Sequence, residues 1–169
     1  FQPALRLLPR EARETLASLA VFHGPFEATT ARRVLQLDET RLTRDLRTLL
    51  RHHLISYTPA QGGVATIQLV GGLAALLRKN ESGRAHDLRD AHAEWVSTLL
   101  EEAHDGALRH DQQHTFARIE PLLDDVDAAV DHLASQTRGE EALRLANHAW
   151  RIHDMAGRNE NATQRLAPL

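Results

Sequence analysis

Apolar residues in the first fifty-odd positions recur every three or four residues, which is the spacing of one face of an α-helix. Three helices are predicted from this pattern, over 9–22, 27–35 and 39–53. Pro9 suits the first position of a helix because its fixed φ is helical. Proline lacks an amide proton, and an amide proton at that position would have no partner within the helix. Asp38 is a good N-cap for the third helix, since its carboxylate can accept a free amide proton of the first turn.

The third helix is amphipathic, and two strand-like runs follow it. Its apolar face is predicted to consist of Leu42, Leu46, Leu49 and Leu50. Beyond this helix, the runs 55–58 and 64–69 are rich in β-branched residues and flank a turn that contains Gly62 and Gly63. Such runs around a glycine turn predict a β-hairpin. Three helices followed by a hairpin predict a winged helix-turn-helix over 1–79.

The second half of the chain has only helical periodicity. Helices are predicted over 73–79, 86–108, 116–135 with a break before Pro121, and 140–156. Trp95 and Trp150 are the largest apolar residues of their helices, so both are expected to be buried. The last helix is expected to place along one side the residues Leu143, Ala146, Ala149 (or Trp150) and Ile152. Residues 84–169 are therefore predicted to form a bundle of antiparallel helix pairs, and the fold class is mainly α.

The short helix 73–79 lies between the two halves and is expected to connect them. Its apolar residues form the predicted seam between the winged helix and the helical region: Leu73, Leu76 and Leu77. Arg78 is expected on its solvated side. Charge also divides the chain near 79–83, because residues 1–79 carry a net charge of +5 and residues 80–169 carry −8. This asymmetry suggests two modules with different partners.

Composition narrows the class of protein. The chain has 27 Leu and 25 Ala against 7 Val and 4 Ile, which favours helices over a large sheet. The absence of cysteine excludes disulfides and thiolate metal sites. No apolar run approaches the roughly 18 residues of a membrane span, and no signal peptide is evident, so we expect a cytoplasmic location. The sequence starts without Met, in the middle of a pattern, and is expected to be a piece of a longer protein.

Few residues form a pattern that could carry out chemistry, so an enzyme is the function class that the sequence supports least. No glycine-rich run ends in Gly-Lys-Ser/Thr, so no phosphate-binding loop is predicted and no cofactor is expected in this segment. The histidine pairs 110/114 and 148/153 lack a partner carboxylate with metal-site spacing, which favours packing or solvent-exposed roles. The acidic run 124–127 with Asp131 lacks the turn glycine of a calcium loop and is interpreted as a solvated helix face.

The third helix has a basic face. At 100° per residue, the polar side opposite the leucines contains Arg41, Arg44, Arg47, Thr48 and Arg51. A recognition helix would present such a face to a DNA major groove. Asp45 lies near this face and would repel phosphates, and the wing between Thr58 and Thr66 has no Lys or Arg. DNA reading and a solvated or partner-binding basic face both remain open.

Four segments in order resemble one protein class. Residues 8–26 are similar to a pattern that reads roughly L-x-x-L-S-V-F-x-G-x-F. Residues 89–95 resemble R-x-x-H-A-x-Y/W, residues 123–130 resemble E-x-D-N-L-R-A-A-L, and 141–157 resemble A-L-R-L-A…W…G. This is the winged-helix and following helical region of STAND regulators, the signal-transduction ATPases that include large LuxR-type, AfsR-type and MalT-like transcriptional activators. The matches cover about 8–166.

The resemblance implies a non-catalytic regulatory and signal-relay segment. It implies that ATP or ADP binds an upstream domain of the same polypeptide, and that the winged helix packs against this domain. The helical half would begin a tetratricopeptide-like arm that receives a protein or small-molecule inducer, with no membrane partner. Val70 stands where some relatives have a nucleotide-contacting His, and Gly71 stands where they have an acid. Valine cannot hydrogen-bond a phosphate, so the resemblance does not extend to nucleotide sensing. The alternative is a winged-helix regulator that reads DNA with helix 39–53.

Overall fold

The chain is mainly helical and carries one two-stranded antiparallel hairpin, as the sequence predicts. The computed structural model describes residues 2–59, 65–79, 85–107 and 119–155. The chain divides into two units, Phe1–Leu88 and Arg89–Leu169. Of the predicted junction at 79–83, only Lys79 lies among the described residues. None of the helices in the described ranges combines the length and the apolar character needed to cross a bilayer.

In the described residues up to Lys79, the structure has five helices. They are α1 (Gln2–Leu7), α2 (Arg10–Leu19), α3 (Ala28–Leu35), α4 (Glu39–Arg51) and α5 (Leu73–Lys79). The pattern did not predict α1. Pro9 precedes α2 as its N-cap residue, one position earlier than expected, and its carbonyl accepts the Arg13 amide at 3.0 Å. Asp38 caps α4 as predicted, since its carboxylate accepts the amide of Arg41 at 2.8 Å.

The predicted hairpin is confirmed. Strand β1 (Ile55–Pro59) pairs antiparallel with β2 (Ala65–Leu69), and Ile55 lies opposite Leu69. Phe26 forms an isolated bridge to Ile67, with both backbone hydrogen bonds made, at 2.9 and 2.7 Å. The turn at 60–64 lies outside the described residues. The bridge ties the segment between α2 and α3 to the edge of the hairpin.

The core of the first unit comes from α2, α3, α4 and the hairpin. Its largest fully buried side chains include Leu16, Leu19, Phe22, Leu49 and Leu54. Leu50 does not belong to it: 44% of the residue is exposed, so its predicted place on the inward face of α4 is wrong. The inward positions of α4 are Leu42, Asp45, Thr48 and Leu49. A helix turns by 100° per residue, so a face that buries Leu42, Asp45 and Leu49 turns Leu50 outward.

Helix α5 is fixed to the rest of its unit by one leucine and one arginine. Leu73 is fully buried, whereas Leu76 and Leu77 are half-buried, and the seam assigned to them stays a prediction. Arg78 is not on a solvated side, which corrects the expectation from the sequence. Its Nε donates to the carbonyl of Ala20 at 2.7 Å and its Nη2 to that of Phe22 at 3.0 Å. A guanidinium suits these carbonyls, because those at and just beyond a helix C-terminus lack helical partners.

The remaining elements that the structure describes are helical. They are α6 (Ala85–Ala107), a 3-10 turn (Glu120–Leu122), α7 (Leu123–Ser135) and α8 (Gly139–Met155). Pro121 lies in the 3-10 turn, so the predicted break is confirmed. Only three residues join α7 to α8, so the two helices form a helical hairpin. Thr137, in this short loop, has φ +60°. His110, His114 and Gly157 lie outside the described residues.

The last helix corrects one half of the tryptophan prediction. Trp95 is buried as expected, but 40% of Trp150 is exposed. The buried residues of α8 are Ala142, Leu145, Ala149 and His153. Ala149 is therefore inward as predicted, Ala146 and Ile152 are half-buried, and the predicted place of Leu143 on this side is wrong because Leu143 is exposed. The buried face of α8 thus contains two alanines, whereas its tryptophan lies on the exposed side.

Candidate partner interface on helix α4

Asp45 is buried at the contact between α2 and α4. Thr15 on α2 donates its hydroxyl to Asp45 Oδ2 at 2.8 Å, and Arg44 Nε lies 3.3 Å from Asp45 Oδ1. A buried carboxylate must be paired and hydrogen-bonded to avoid a large desolvation cost. The expectation that Asp45 lies near an outer face and repels phosphates is therefore corrected: Asp45 binds α4 to α2.

Acidic residues of α2 hold the first two arginines of the predicted basic face. Arg44 Nη2 pairs with Glu11, and Arg41 Nη2 lies 3.5 Å from Glu14 Oε2. Arg41 Nε also lies 3.7 Å from Asp45 Oδ2. The hydrogen bond with Asp45 and the charge of Glu11 raise the pKa of Arg44 above its usual value. At this end of α4 the positive charge is thus compensated within the unit.

The far end of the predicted face is different. Thr48 is buried and donates its hydroxyl to the Arg44 carbonyl at 3.0 Å, so it offers little exposed surface. Arg47 and Arg51 are exposed, and within the described part of the chain neither forms an ion pair. Arg51 makes only a long contact, 3.4 Å, to the Thr48 hydroxyl. The basic face predicted from the sequence therefore divides into a compensated half and an uncompensated half.

A shallow groove of about 980 Å³ follows the outer side of α4. It is lined by Glu39, Thr40, Thr43, Arg44, Arg47, Thr48, Leu50 and Arg51. Exposed Leu50 gives this groove an apolar wall beside the two uncompensated arginines. Neither strand of the hairpin, in the residues described, contains a Lys or Arg that would add a second cationic surface.

The second unit contains a different kind of polar contact, between buried histidines and aspartates. His92 Nε2 on α6 lies 2.8 Å from Asp125 Oδ1 on α7, and both residues are buried. His132 on α7 lies 2.8 Å from Asp90 Oδ1 on α6. His153 on α8 lies 3.2 Å from Asp127 Oδ1 on α7. Each pair joins two helices, so the three together fix α7 between its neighbours.

These pairs correct the interpretation of the acidic run as a solvated face. Asp125 and Asp127 are buried, and only Asp124 and Asp131 are exposed. A signal was present in the sequence: Asp125, Ala129 and His132 follow a helical i, i+4, i+7 spacing beside the apolar residues of α7. The sequence also shows His92 and His153, but not which aspartate each one meets across two helices.

One of these pairs has the residue types of a metal site. One ligand atom each of Asp90, of His132 and of His86, one turn earlier on α6, lies within 4.8 Å of the others. Arg138 Nη1 lies 3.4 Å from the same Asp90 oxygen that His132 contacts. A guanidinium already supplies positive charge at that oxygen, and a metal ion would have to displace it. We therefore interpret the pair as a structural contact.

The described geometry offers one groove and several structural contacts between helices. The groove on α4 can bind a partner by charge and apolar contact, and the histidine–aspartate pairs can hold helices in register. Scans of this chain against protein-family models, curated proteins and solved structures found no match.

Proposed function

We propose that this chain is a non-catalytic regulatory and relay segment of a STAND-type transcriptional regulator. Its first part would be a winged helix that packs against a nucleotide-binding core, and its helical part would begin a tetratricopeptide-like arm. Such a segment acts by contacting two states of the core differently, so that a signal at the arm biases the equilibrium between those states. The inducer in this proposal is a protein or a small molecule that binds the arm.

One observation carries the choice of a protein-contacting role over a DNA-reading role. The helix that would enter a major groove has two of its arginines, Arg41 and Arg44, held by carboxylates of its own unit. A phosphate would have to compete with Glu11, Glu14 and Asp45 for these cations. Specific DNA binding draws much of its affinity from uncompensated Lys and Arg, and few are left here.

Two further features support the proposal. The order of α2, α3, α4 and the hairpin agrees with the order expected for a winged helix, and a bridge at Phe26 holds the hairpin to the helical part. The helical hairpin of α7 and α8, joined by three residues, is the unit from which tetratricopeptide-like arrays are built. ATP or ADP would bind in the core, since this sequence has no phosphate-binding loop.

The rival function is a regulator that reads DNA with α4. Exposed Arg47 and Arg51 are the observation that favours it, because both could contact phosphates or bases. Arg44 is also more than half exposed, although Glu11 holds it. A sequence-selective complex of this chain with duplex DNA would promote this rival.

The reading frame upstream of Phe1 tests the proposal. We expect a Gly-x4-Gly-Lys-Ser/Thr loop roughly 200 residues upstream of Phe1. This distance leaves room for the rest of the nucleotide-binding domain between the loop and this chain. An upstream frame that codes for another kind of domain, or a start codon directly before Phe1, would contradict it. The test needs no folded protein and is independent of the surface chemistry of α4.

A further inference from the structure

The exposed side of α4 combines positive charge, hydroxyl groups and an apolar side chain along one groove. The groove along it is lined by Arg47 and Arg51 and by the hydroxyls of Thr40 and Thr43, with Leu50 as an apolar wall. These residues lie on the same side of one helix, so a ligand can contact them together. Single exposed leucines are common on protein surfaces, but a leucine beside two uncompensated arginines is a specific combination.

The two arginines define a spacing. They are four residues apart on α4, so their Cβ atoms are separated by about 6 Å, one helical turn. Neither has a carboxylate partner among the residues described, while Arg41 and Arg44 on the same helix do. The unit therefore neutralises one end of α4 and leaves two positive charges at the other end.

The geometry points to a docking site for an acidic amphipathic helix of a partner protein. Two Asp or Glu residues four positions apart on such a helix match the one-turn spacing of Arg47 and Arg51. Arginine binds a carboxylate through two parallel hydrogen bonds, which fixes orientation as well as charge. A Leu, Phe or Met next to the acids would cover Leu50 and exclude water from the ion pairs. The threonine hydroxyls can bind the polar edge of the partner.

Nucleic acid fits this site less well than an acidic helix. When the salt concentration rises from roughly 50 to 200 mM, a protein that makes two phosphate contacts loses only about tenfold in DNA affinity. A protein that makes six to ten such contacts loses about 10³–10⁵-fold. Electrostatic attraction through two arginines is therefore weak. Glu39 lies at one end of the groove, and Leu50 offers nothing to a phosphate. This inference rests on the geometry of α4 and does not depend on the regulator assignment.

The test is a selection from a displayed library of helical peptides about four turns long, with the folded chain as bait. We expect the enriched peptides to carry two acids at i, i+4 with an apolar residue beside them. The double variant Arg47→Glu/Arg51→Glu should lower their affinity at least about tenfold, and Leu50→Ala should lower it by a smaller factor. Circular dichroism and thermal melting check that each variant is folded.

A control variant tests whether a loss of peptide binding comes from this site or from the change in net charge. Arg6→Glu/Arg33→Glu changes the net charge equally at two exposed arginines outside the groove, and it should leave peptide affinity within about twofold. Enriched peptides without the acid pair, equal binding to the Arg47→Glu/Arg51→Glu variant, or no enrichment at all would overturn the inference. Titration with mixed-sequence duplex DNA is the second arm: a larger loss for DNA than for peptide in the same variant would assign the surface to nucleic acid instead.

Discussion

The two units hold buried carboxylates in different ways. In the first unit, Asp45 is surrounded by a threonine hydroxyl and two arginines whose outer atoms remain partly in solvent. In the second unit, the Asp125 carboxylate contacts the imidazole of His92, and both side chains are buried. An ion pair at the edge of a contact retains water as a substitute partner, whereas a fully buried pair does not. The second unit should therefore be the more sensitive to loss of one polar partner.

The two kinds of contact also differ in whether they affect the binding of partners. The acids that stabilise α4 on α2 are the same acids that compensate Arg41 and Arg44, so the contact within the unit lowers the charge available to DNA. The pair of His92 and Asp125 lies inside the helical unit and exposes no charge at the surface. Disturbing the first contact should change binding as well as stability, and disturbing the second should change stability alone.

The largest expected effect is that of His92→Ala. Removing the imidazole leaves the Asp125 carboxylate buried without that partner, and we expect the free energy of unfolding to fall by about 3 kcal/mol. Urea unfolding followed by the fluorescence of Trp95, whose ring centroid lies 5.5 Å from that of His92, measures it. The double variant His92→Ala/Asp125→Ala should recover part of this loss. A change below about 0.5 kcal/mol would contradict the comparison.

Asp45→Ala should cost less, about 2 kcal/mol, because the released arginines can turn to solvent. Thr15→Val removes only one hydrogen bond to the carboxylate and should cost about 1 kcal/mol. Differential scanning calorimetry of both variants measures these losses. A greater loss for Asp45→Ala than for His92→Ala would reverse the ranking of the two units.

Arg78→Ala should lower the stability of the first unit by about 1–2 kcal/mol. The variant loses the two hydrogen bonds to the carbonyls of Ala20 and Phe22. Lys79→Ala, at an exposed neighbour on α5, is the matched control and should change stability by less than about 0.5 kcal/mol. If chemical denaturation gives the two variants the same midpoint, the guanidinium contact does not fix α5.

The smallest effect belongs to the exposed pair of Arg138 and Glu141, 2.6 Å apart. The hydrogen bond from Arg138 lowers the pKa of Glu141 from its usual 4.5. A lowered carboxylate pKa contributes stability that is present above pH 4.5 and is lost as the pH falls through the lowered value. Because the pair is solvent-exposed, Glu141→Gln should cost at most about 0.5 kcal/mol at pH 7 and nothing at strongly acidic pH. A pH series of melting curves for Glu141→Gln and the parent chain checks both sign and size.

Local patterns in the sequence predict much of this fold. The cap at Asp38, the third helix and the hairpin follow from residues that are near each other in the chain, and the structure confirms them. The third helix ends at Arg51, two residues before the predicted end. Helix α1 was missed because six residues are too few for a periodic signal.

Contacts between distant elements were the part that the sequence could not provide. Thr15 and Asp45 are 30 residues apart, and His92 and Asp125 are 33 apart. A rule that places every charged residue on the surface therefore misplaces Asp45 and Asp125. For the same reason, the sequence identified the arginines of α4 but could not show that acids of α2 hold two of them.

We expect α4 to contact protein, because the acids of α2 compensate part of its basic face. The most direct test is a titration of this chain with duplex DNA at about 150 mM salt, followed by fluorescence anisotropy. We expect weak binding that is the same for duplexes of different sequence, and somewhat stronger binding by Glu11→Gln, in which Arg44 loses one carboxylate. A sub-micromolar, sequence-selective complex that is lost on Arg44→Ala or Arg47→Ala would contradict this account and assign α4 to DNA recognition.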